Sequence, residues 1–521
     1  MNPPGSVDIN RKKLFAGICM ALFPTAFSFA LVSNILYQLK TEFILTNANV
    51  GFIGGAALWG MAISLLTIGL LLEKIGFKKA ATGAFVAHLT GVTLFLLAYP
   101  FAGNPAAFWI LFLGAIGMGL GNGLIEVTGN PLTAALFPEN KTTKLNHFHA
   151  FFPGGMVLGG ILGFLMVQTG HIGPLNIGHW TFQIGIIYIP ILIYGYLLLT
   201  EKFPRTEAAE AGISLGEMAK NVISNPLVIG LILLMMVSLS LEMGPMRWIP
   251  EVLQAAGMHG ILVLVWISGL MMLLRFFAGP FVERFSPPGM LLGGGVLTGI
   301  GLLIFSFVET GTLPLMIAAT FFAVGIAFFF PNMVGLMSER FPQTGSLGIV
   351  LLMGVGFFAA GSSNPIMGGI ADRYLPAALD VPQTVQILET AEERLPGYIS
   401  RAEAASGDIQ RLAELGYRAV DLENALGHTQ SALAHYRQTG TLDGNLTGNA
   451  LRALIDTTLE QEEALLSQAF MVLRPADNYG GRMSFLWVAP FAFIIAGIFL
   501  VVYLNDLRKG GYKAVRLEKR H

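Results

Sequence analysis

The chain has 521 residues, of which 54% are hydrophobic and 12% are charged, and its mean hydropathy is +0.65. These values are typical of a polytopic membrane protein and exclude an ordinary soluble enzyme. The net charge of −1 provides no positive field that would indicate nucleic-acid binding. Cys19 is the only cysteine, which excludes intramolecular disulfides and cysteine-based metal sites.

Apolar segments long enough to cross a bilayer, about 20 residues each, follow one another along the chain. The first begins after Arg11, Lys12 and Lys13 and lacks a small-residue cleavage site, which indicates an uncleaved helix rather than a signal peptide. We predict an all-α polytopic membrane protein with twelve transmembrane helices in two six-helix bundles. The predicted helices, numbered 1 to 12, are 14–36, 49–72, 79–99, 107–134, 149–168, 180–199, 225–247, 260–283, 288–308, 313–336, 346–370 and 484–504.

Basic residues between these segments predict the orientation. Lys and Arg cluster before helix 1 and after helices 2, 4, 6 and 12, whereas opposite loops such as YPFAGNPAAFW carry none. Because cytoplasmic loops are enriched in Lys and Arg, we place both termini in the cytoplasm of a multi-pass plasma (inner) membrane protein. The predicted parts are an N-terminal bundle (1–200), a cytoplasmic linker (201–224), a C-terminal bundle (225–375 and 483–507), an extracytoplasmic helical insertion (376–482) and a basic cytoplasmic tail (508–521).

Predicted helix 4 carries an acid in apolar surroundings. An acid near the bilayer centre costs roughly 2.5–3.5 kcal/mol on insertion scales, so such residues usually face a cavity. Asn122, Glu126 and Asn130 are spaced i, i+4, i+8 and share a helix face. Pro131 favours a kink or a local break. We predict a polar stripe along a transport cavity, with Glu126 as a proton or solute contact. The alternative is a protonated acid that hydrogen-bonds neighbouring helices.

Predicted helix 7 carries a second acid, Glu242, and Gly244-Pro245 is expected to interrupt the helix beside it. Arg247 and Trp248 follow. A charged pair with an aromatic platform suits a ring-shaped polar solute such as a sugar, although Arg247 and Trp248 also fit interfacial anchors.

Other polar residues in the predicted helices have two interpretations each, solute contact or interhelical hydrogen bond. His149 fits a proton acceptor near neutral pH. Arg275 in helix 8 is expected to find a carboxylate or carbonyl partner inside the membrane. The remaining candidates are Asn34 and Gln38 in helix 1 and Asn364 in helix 11.

The two halves share a motif at matching places, a glycine followed four residues later by an acid–base pair. Its residues are Gly69, Glu73, Lys74 and Gly76 at the end of helix 2, and Gly279, Glu283 and Arg284 at the end of helix 8. This signature resembles that of the major facilitator superfamily, and the resemblance covers all twelve predicted helices. It implies parallel six-helix halves with the solute site between them. It also gives the motif a gating role, through salt bridges between the halves, although charges at a helix end alone fit a topological role.

A narrower resemblance covers GLGNGLIEVTGNPLTAALFPENKTTKLN and EFILTN, which are similar to segments of the fucose–proton symporter family. In that family the helix-4 glutamate is implicated in sugar recognition and proton coupling, which the resemblance carries over to Glu126. The family places an aspartate late in helix 1, where this chain has Ser33 and Asn34.

We therefore expect a secondary active transporter that moves a sugar or similar polar solute by proton symport with alternating access, without a cofactor. Sodium coupling stays open, because carboxylate and amide oxygens also bind hard cations. A nucleoside, organic acid or drug as cargo, and a transporter-like sensor, are the alternatives. The insertion 376–482 fits a cap or a docking module for a protein partner, or a solvated helical hairpin. The absence of HExxH and of clustered His/Asp ligands argues against an enzyme.

Overall fold

The computed structural model describes residues 9–43, 47–102, 104, 106–255, 260–405, 417–457 and 459–515. This part of the chain is helical apart from loops and one two-residue hairpin, in which β1 (His171–Ile172) pairs antiparallel with β2 (Leu175–Asn176). The helices of the first half are α1 Arg11–Glu42, α2 Asn47–Leu66, α3 Leu72–Leu96, α4 Ala106–Leu136, α5 Lys141–Thr169, α6 Trp180–Gly185 and α7 Tyr188–Leu199, with 3₁₀ turns at Gly69–Leu71 and Tyr99–Phe101.

Two short helices connect this half to the second. They are α8 Glu207–Glu210 and α9 Leu215–Ser224. The helices that follow are α10 Pro226–Ala255, α11 Gly260–Phe276, α12 Ala278–Phe307, α13 Thr312–Ile326, α14 Phe329–Arg340, α15 Gly345–Tyr374, α16 Val381–Ala404, α17 Ala419–Thr439, α18 Gly444–Asp456 and α19 Glu463–Arg508, with 3₁₀ turns at Pro342–Thr344, Leu375–Ala378 and Glu460–Glu462.

By length and composition, ten helical stretches within the described residues can cross a membrane. One of them, Phe52–Phe101, is 50 residues long and contains both predicted helix 2 and predicted helix 3. Predicted helix 8 corresponds to a shorter apolar helix, Val263–Phe276. The expected class, an all-helical polytopic protein, is confirmed, whereas the count of twelve stays a prediction.

The repeat between the halves extends to the backbone. Gly76, seven residues after Gly69, has φ 76° and ψ 161°, and Ser286, seven residues after Gly279, has φ 58° and ψ 161°. Both positions therefore reverse the chain with a positive φ, directly before the next long helical segment. The two glycines also correspond: a Cβ at Gly69 would lie 2.5 Å from Val350 of α15, and a Cβ at Gly279 would lie 3.6 Å from Thr143 of α5. Each motif thus meets a helix of the opposite half.

Close packing around α4 fixes the position of its polar residues. A Cβ at Gly119 would lie 2.2 Å from the carbonyl oxygen of Ala57 in α2, and a Cβ at Gly91 of α3 would lie 2.3 Å from the amide nitrogen of Met118. Small residues allow such approach of helix backbones in membranes. Glu126 lies two turns beyond Gly119 on the same helix and is 4% exposed.

Two local predictions from prolines need correction. The expected interruption at Gly244-Pro245 is wrong, because α10 continues from Pro226 to Ala255. The alternative of a local break at Pro131 is also wrong, because α4 continues to Leu136, whereas a kink there stays a prediction. A proline removes a single N–H, and packed neighbours can satisfy the carbonyl that it leaves.

Helices α16 to α18 and the first part of α19 enclose an apolar core of their own, which includes Leu388, Leu433, Leu451 and Ala469. Arg452 joins this unit to the membrane helices through Asp372 of α15 at 2.9 Å and Asp477 of α19 at 2.6 Å. The last part of the predicted insertion, residues 463–482, is continuous with predicted helix 12 in the single helix α19, which has 46 residues. At about 1.5 Å per residue, that helix is roughly twice the thickness of a bilayer core.

The matched turns allow a reciprocal test of the repeat. Ser286→Gly should raise the free energy of unfolding by about 1 kcal/mol, because the backbone there suits glycine, and Gly76→Ser should lower it by about 1–3 kcal/mol. Thermal unfolding of the purified protein in detergent measures both. Ser33→Gly, within helix α1, is the control and should destabilise. A loss of stability with Ser286→Gly would contradict the assigned turn.

Candidate functional site

A small cavity lies where the two halves meet, and both halves line it. Its volume of about 40 Å³ has room for about one water molecule, so a solute enters only if the surrounding helices or side chains move. Four phenylalanines and three other apolar residues surround four ionisable ones. The lining residues are Phe29, Met61, Glu126, His149, Phe152, Leu239, Glu242, Met243, Arg275, Phe330 and Phe357.

In the first half, Asn130 links two residues that line this cavity, Glu126 and His149. Asn130 donates from Nδ2 to Oε2 of Glu126 at 2.6 Å, and its Oδ1 lies 2.7 Å from Nε2 of His149. Because the amide oxygen only accepts, His149 donates from Nε2. The same nitrogen lies 4.0 Å from Oε2 of Glu126. The structure therefore brings together Glu126, Asn130 and His149, three of the residues predicted for the site.

The second half contributes an ion pair. Arg275 of α11 donates from one terminal nitrogen to Oε1 of Glu242 at 3.2 Å, so it has the carboxylate partner expected for it. The other carboxylate oxygen of Glu242, Oε2, is buried and has no hydrogen-bond partner among the described residues. A buried polar atom without a partner is costly. This oxygen is therefore an acceptor that is still available inside the site.

Between the cavity and the face that carries Lys13, Lys141 and Tyr512, which we call the basic face, the halves are joined by a ladder of hydrogen bonds. Thr142 donates from its amide and its hydroxyl to Oε1 of Glu339, at 2.9 and 2.8 Å. One turn further along α5, Asn146 donates to Oδ1 of Asn332 at 2.7 Å. The third rung connects the carbonyl of His149 to Arg275 at 3.1 Å. These α5 residues share one helix face, so the three rungs join the two halves along α5.

The end of the chain adds to this closure. Tyr512 donates its hydroxyl to Oε2 of Glu339 at 2.6 Å, and the amide of Val515 donates to the carbonyl of Glu339 at 2.8 Å. Burial and the negative charge of Glu339 raise the pKa of Tyr512, so the hydroxyl stays a donor. Lys141 pairs with Glu207 of the connecting segment at 2.6 Å. The basic face is thus covered by the tail and the linker together.

The motif residues divide between interface and surface. Glu73 accepts hydrogen bonds from Ser346 at 2.6 Å and from Thr206, so it reaches the second half through a hydroxyl group rather than through a basic side chain. Lys74, Glu283 and Arg284 are exposed. The gating role itself stays a prediction.

Other predicted residues lie away from the cavity lining. Asn122 has its Oδ1 2.9 Å from Nε2 of His88 and donates to Ser28 at 3.3 Å. It therefore connects α4 to α3 and α1. Asn34 donates to Gln183 at 2.7 Å, and Gln38 donates to the carbonyl of Gly178 at 3.0 Å.

Three residues remain from the predicted set. Trp248 packs against α15, where a Cβ at Gly368 would lie 3.2 Å from its ring. The side chains of Arg247 and Asn364 lie outside the residues that the structure describes.

Sequence reasoning missed the four phenylalanines of the lining and the ladder residues Asn146, Asn332 and Glu339. Asn332 did carry a signal, because Pro331-Asn332 occupies the place in the second half that Asn130-Pro131 occupies in the first. The phenylalanines carried none, since apolar residues are expected on every face of a membrane helix.

The sequence profile of the Major Facilitator Superfamily matches residues 18–361. The chain belongs to this superfamily. Two curated relatives match part of it at 27% identity: a gentisate transporter of Corynebacterium glutamicum over 173 residues, and the L-fucose-proton symporter of Escherichia coli over 150 residues. These matches cover 33% and 29% of this chain and 36% and 33% of the relatives, so each spans about a third of the relative's length.

Solved structures of the superfamily share the fold. The E. coli fucose:proton symporter FucP, in an outward conformation, superimposes with a TM-score of 0.56 at 20% identity, covering 69% of this chain and 92% of that chain. The proton:xylose symporter XylE, bound to 6-bromo-6-deoxy-D-glucose, gives a TM-score of 0.57 at 17% identity, with coverages of 69% and 89%. The expected superfamily and the similarity to the fucose symporter are therefore confirmed.

The contact between Tyr512 and Glu339 predicts a protease phenotype. Tyr512→Phe keeps the ring and removes the donor, and a hydrogen bond to a charged group contributes about 1.5–3 kcal/mol. The detached fraction of the tail should then rise about tenfold or more, and trypsin should cleave after Lys513 faster by a similar factor. Mass spectrometry of the released fragment measures this rate. Tyr503→Phe is the control, and equal rates for the two variants would contradict the docked tail.

Proposed function

We propose that this chain is a secondary active transporter that carries a small polar solute, with sugars as the first candidate, across the cytoplasmic membrane together with a proton. The observation that carries the proposal is the cavity between the halves, which is lined by Glu126 and His149 from one half and by Glu242 and Arg275 from the other. Ionisable residues inside a membrane bundle mark solute and ion pathways. Membership in a superfamily of transporters supports the same conclusion.

In this proposal twelve helices form two six-helix bundles, residues 1–200 and residues 225–375 with 483–507. The linker 201–224, the tail 508–521 and the basic face lie in the cytoplasm, and the insertion 376–482 lies on the opposite side. We assign this conformation, in which the hydrogen-bonded ladder joins the halves at the basic face, to a state closed toward the cytoplasm. Transport then requires the ladder to open.

The net charge of the ionisable residues in the cavity explains why a proton would be transported. With both acids ionised and His149 neutral, the site holds two negative charges, on Glu126 and Glu242, and one positive charge, on Arg275, a net charge of −1. One proton on Glu126 brings the sum to zero. Because a net charge inside the membrane is costly, the neutral site changes conformation more readily than the charged one. Release of the proton to the cytoplasm then restores the charge.

Oε2 of Glu242 is the proposed hydrogen-bond acceptor for the solute. A hydroxyl group can donate to Oε2, while the phenylalanine faces of the lining suit the C–H groups of a sugar ring. A carboxylate is the second candidate, because the guanidinium of Arg275 forms part of the cavity wall. The two curated relatives, named for gentisate and for L-fucose, represent both classes.

Uptake into proteoliposomes tests cargo and coupling ion together. L-fucose, xylose and gentisate, each labelled, are offered with an inward proton gradient, with a sodium gradient, or with neither. We expect a sugar to accumulate only with the proton gradient. Accumulation of gentisate alone would replace the sugar by a carboxylate, and accumulation driven by sodium alone would replace the coupling ion. Failure of all three solutes under every gradient would contradict the proposed cargo classes.

Glu126→Gln tests the proton site. Because the amide cannot take up a proton, uphill accumulation should disappear, while exchange of labelled for unlabelled solute continues. Glu210→Gln, at an exposed position of the linker, is the control and should accumulate solute like the unmodified protein. Normal accumulation by Glu126→Gln would remove this residue from the coupling mechanism.

A further inference from the structure

Two prolines near the cavity each leave a backbone carbonyl without its helical partner. In an α-helix the carbonyl of residue i accepts from the N–H of residue i+4, and proline has no N–H. Pro153 of α5 therefore leaves the carbonyl of His149 free, and Ala327, the residue that caps the end of α13, cannot receive a helical donor from Pro331 four residues later. An unpaired carbonyl in a membrane bundle is costly unless another group donates to it.

Arg275 donates to both of these carbonyls. Its terminal nitrogen lies 3.1 Å from the oxygen of His149, and its Nε lies 2.5 Å from the oxygen of Ala327. Its other terminal nitrogen binds Glu242. Because the guanidinium is a rigid planar group of donors, the position of each acceptor constrains the positions of the other two. The side chain is only 2% exposed, so its contacts are with protein.

The three acceptors of Arg275 belong to different parts of the transport unit. Glu242 belongs to the solute site, Ala327 belongs to the same half as Arg275, and His149 belongs to the opposite half. The bond to His149 is also the rung of the ladder next to the cavity. One side chain thus connects the charged site to the interface that must open.

We propose that Arg275 is a positioning residue that couples the solute site to the closure of the basic face, through the carbonyl that Pro153 leaves free. This inference rests on the proposed alternating access. When the halves separate, the carbonyl of His149 loses its donor and has no N–H in its own helix to replace it. The proline therefore strengthens the closed state. A proton or solute at Glu242 weakens the ion pair between Glu242 and Arg275. The strength of the hydrogen bond from Arg275 to the carbonyl of His149 then changes as well.

A purely structural role for Arg275, as the counter-ion of Glu242, predicts a different pattern. In that case neither proline should affect the equilibrium between closed and open forms of the basic face. Under our proposal the two prolines differ, although both free a carbonyl that Arg275 binds. Only the carbonyl freed by Pro153 lies across the interface between the halves.

The test is a distance measurement in the absence of solute. Spin labels are attached to cysteines at Lys79 and Gln343, which are exposed and lie on opposite halves, with Cys19 replaced by alanine. Double electron–electron resonance then gives the ratio of open to closed forms. Pro153→Ala gives the His149 carbonyl an intrahelical donor and should raise this ratio about tenfold, the effect of one net hydrogen bond. Pro331→Ala is the matched control and should change it by less than about twofold.

Arg275→Lys provides a second readout, because lysine keeps the charge but lacks the fork. In the Arg275→Lys background, adding Pro153→Ala should change the ratio by less than about twofold, since the bond is already lost. If Arg275→Lys does not fold, the comparison of the two prolines decides alone. Equal ratios for Pro153→Ala and the parent protein, or equal shifts for both proline variants, would overturn the inference. The ratio of open to closed forms could also change only in Pro153→Ala while the parent protein shows no gradient-driven uptake. That result would support the role of Arg275 and contradict the transport proposal.

Discussion

The architecture depends on one buried positive charge. A guanidinium inside a membrane bundle is tolerated only with a counter-charge and with acceptors for its N–H groups. Arg275 has Glu242 as the counter-charge and two carbonyls as acceptors. Because one of the carbonyls belongs to the opposite half, satisfying this charge requires the halves to be in contact. The closed ladder and the small cavity above it follow from that requirement.

The two halves share the backbone turns of the repeat but carry their buried acidic residues at different places. The turns at Gly76 and Ser286 have nearly the same backbone conformation, and the glycines before them each meet the opposite half. The acids differ: Glu126 is in the fourth predicted helix of the first half, and Glu242 is in the first predicted helix of the second. The fucose–proton symporter family has an aspartate late in helix 1, where this chain has Ser33 and Asn34. Glu242, in the repeat counterpart of that helix, supplies a second carboxylate to the cavity.

The sequence predicted the helices and the shared face of Glu126 and Asn130, because intramembrane polarity and local spacing carry that information. It identified His149 as a candidate but not its contact with Asn130, which depends on the packing of α5 against α4. Local spacing did not place Asn122. Four residues advance a helix by about 40° beyond a full turn, and at that position the neighbours of α4 are His88 and Ser28 rather than the cavity. The phenylalanine lining could not be found, since lipid-facing, packed and cavity-facing positions are all apolar. Proline spacing identifies the free carbonyls, but tertiary packing alone determines that Arg275 reaches them.

The central claim is that solute crosses only when the halves separate at the basic face. A disulfide across the ladder tests it directly: a Cβ at Gly335 would lie 2.9 Å from the Cβ of Thr142, close enough for a disulfide after slight relaxation. In a Cys19→Ala background, Thr142→Cys with Gly335→Cys should lose proton-driven uptake on oxidation and regain it on reduction, whereas each single variant should respond to neither treatment. Full uptake by the oxidised double variant, with the disulfide verified by mass spectrometry, would contradict the account.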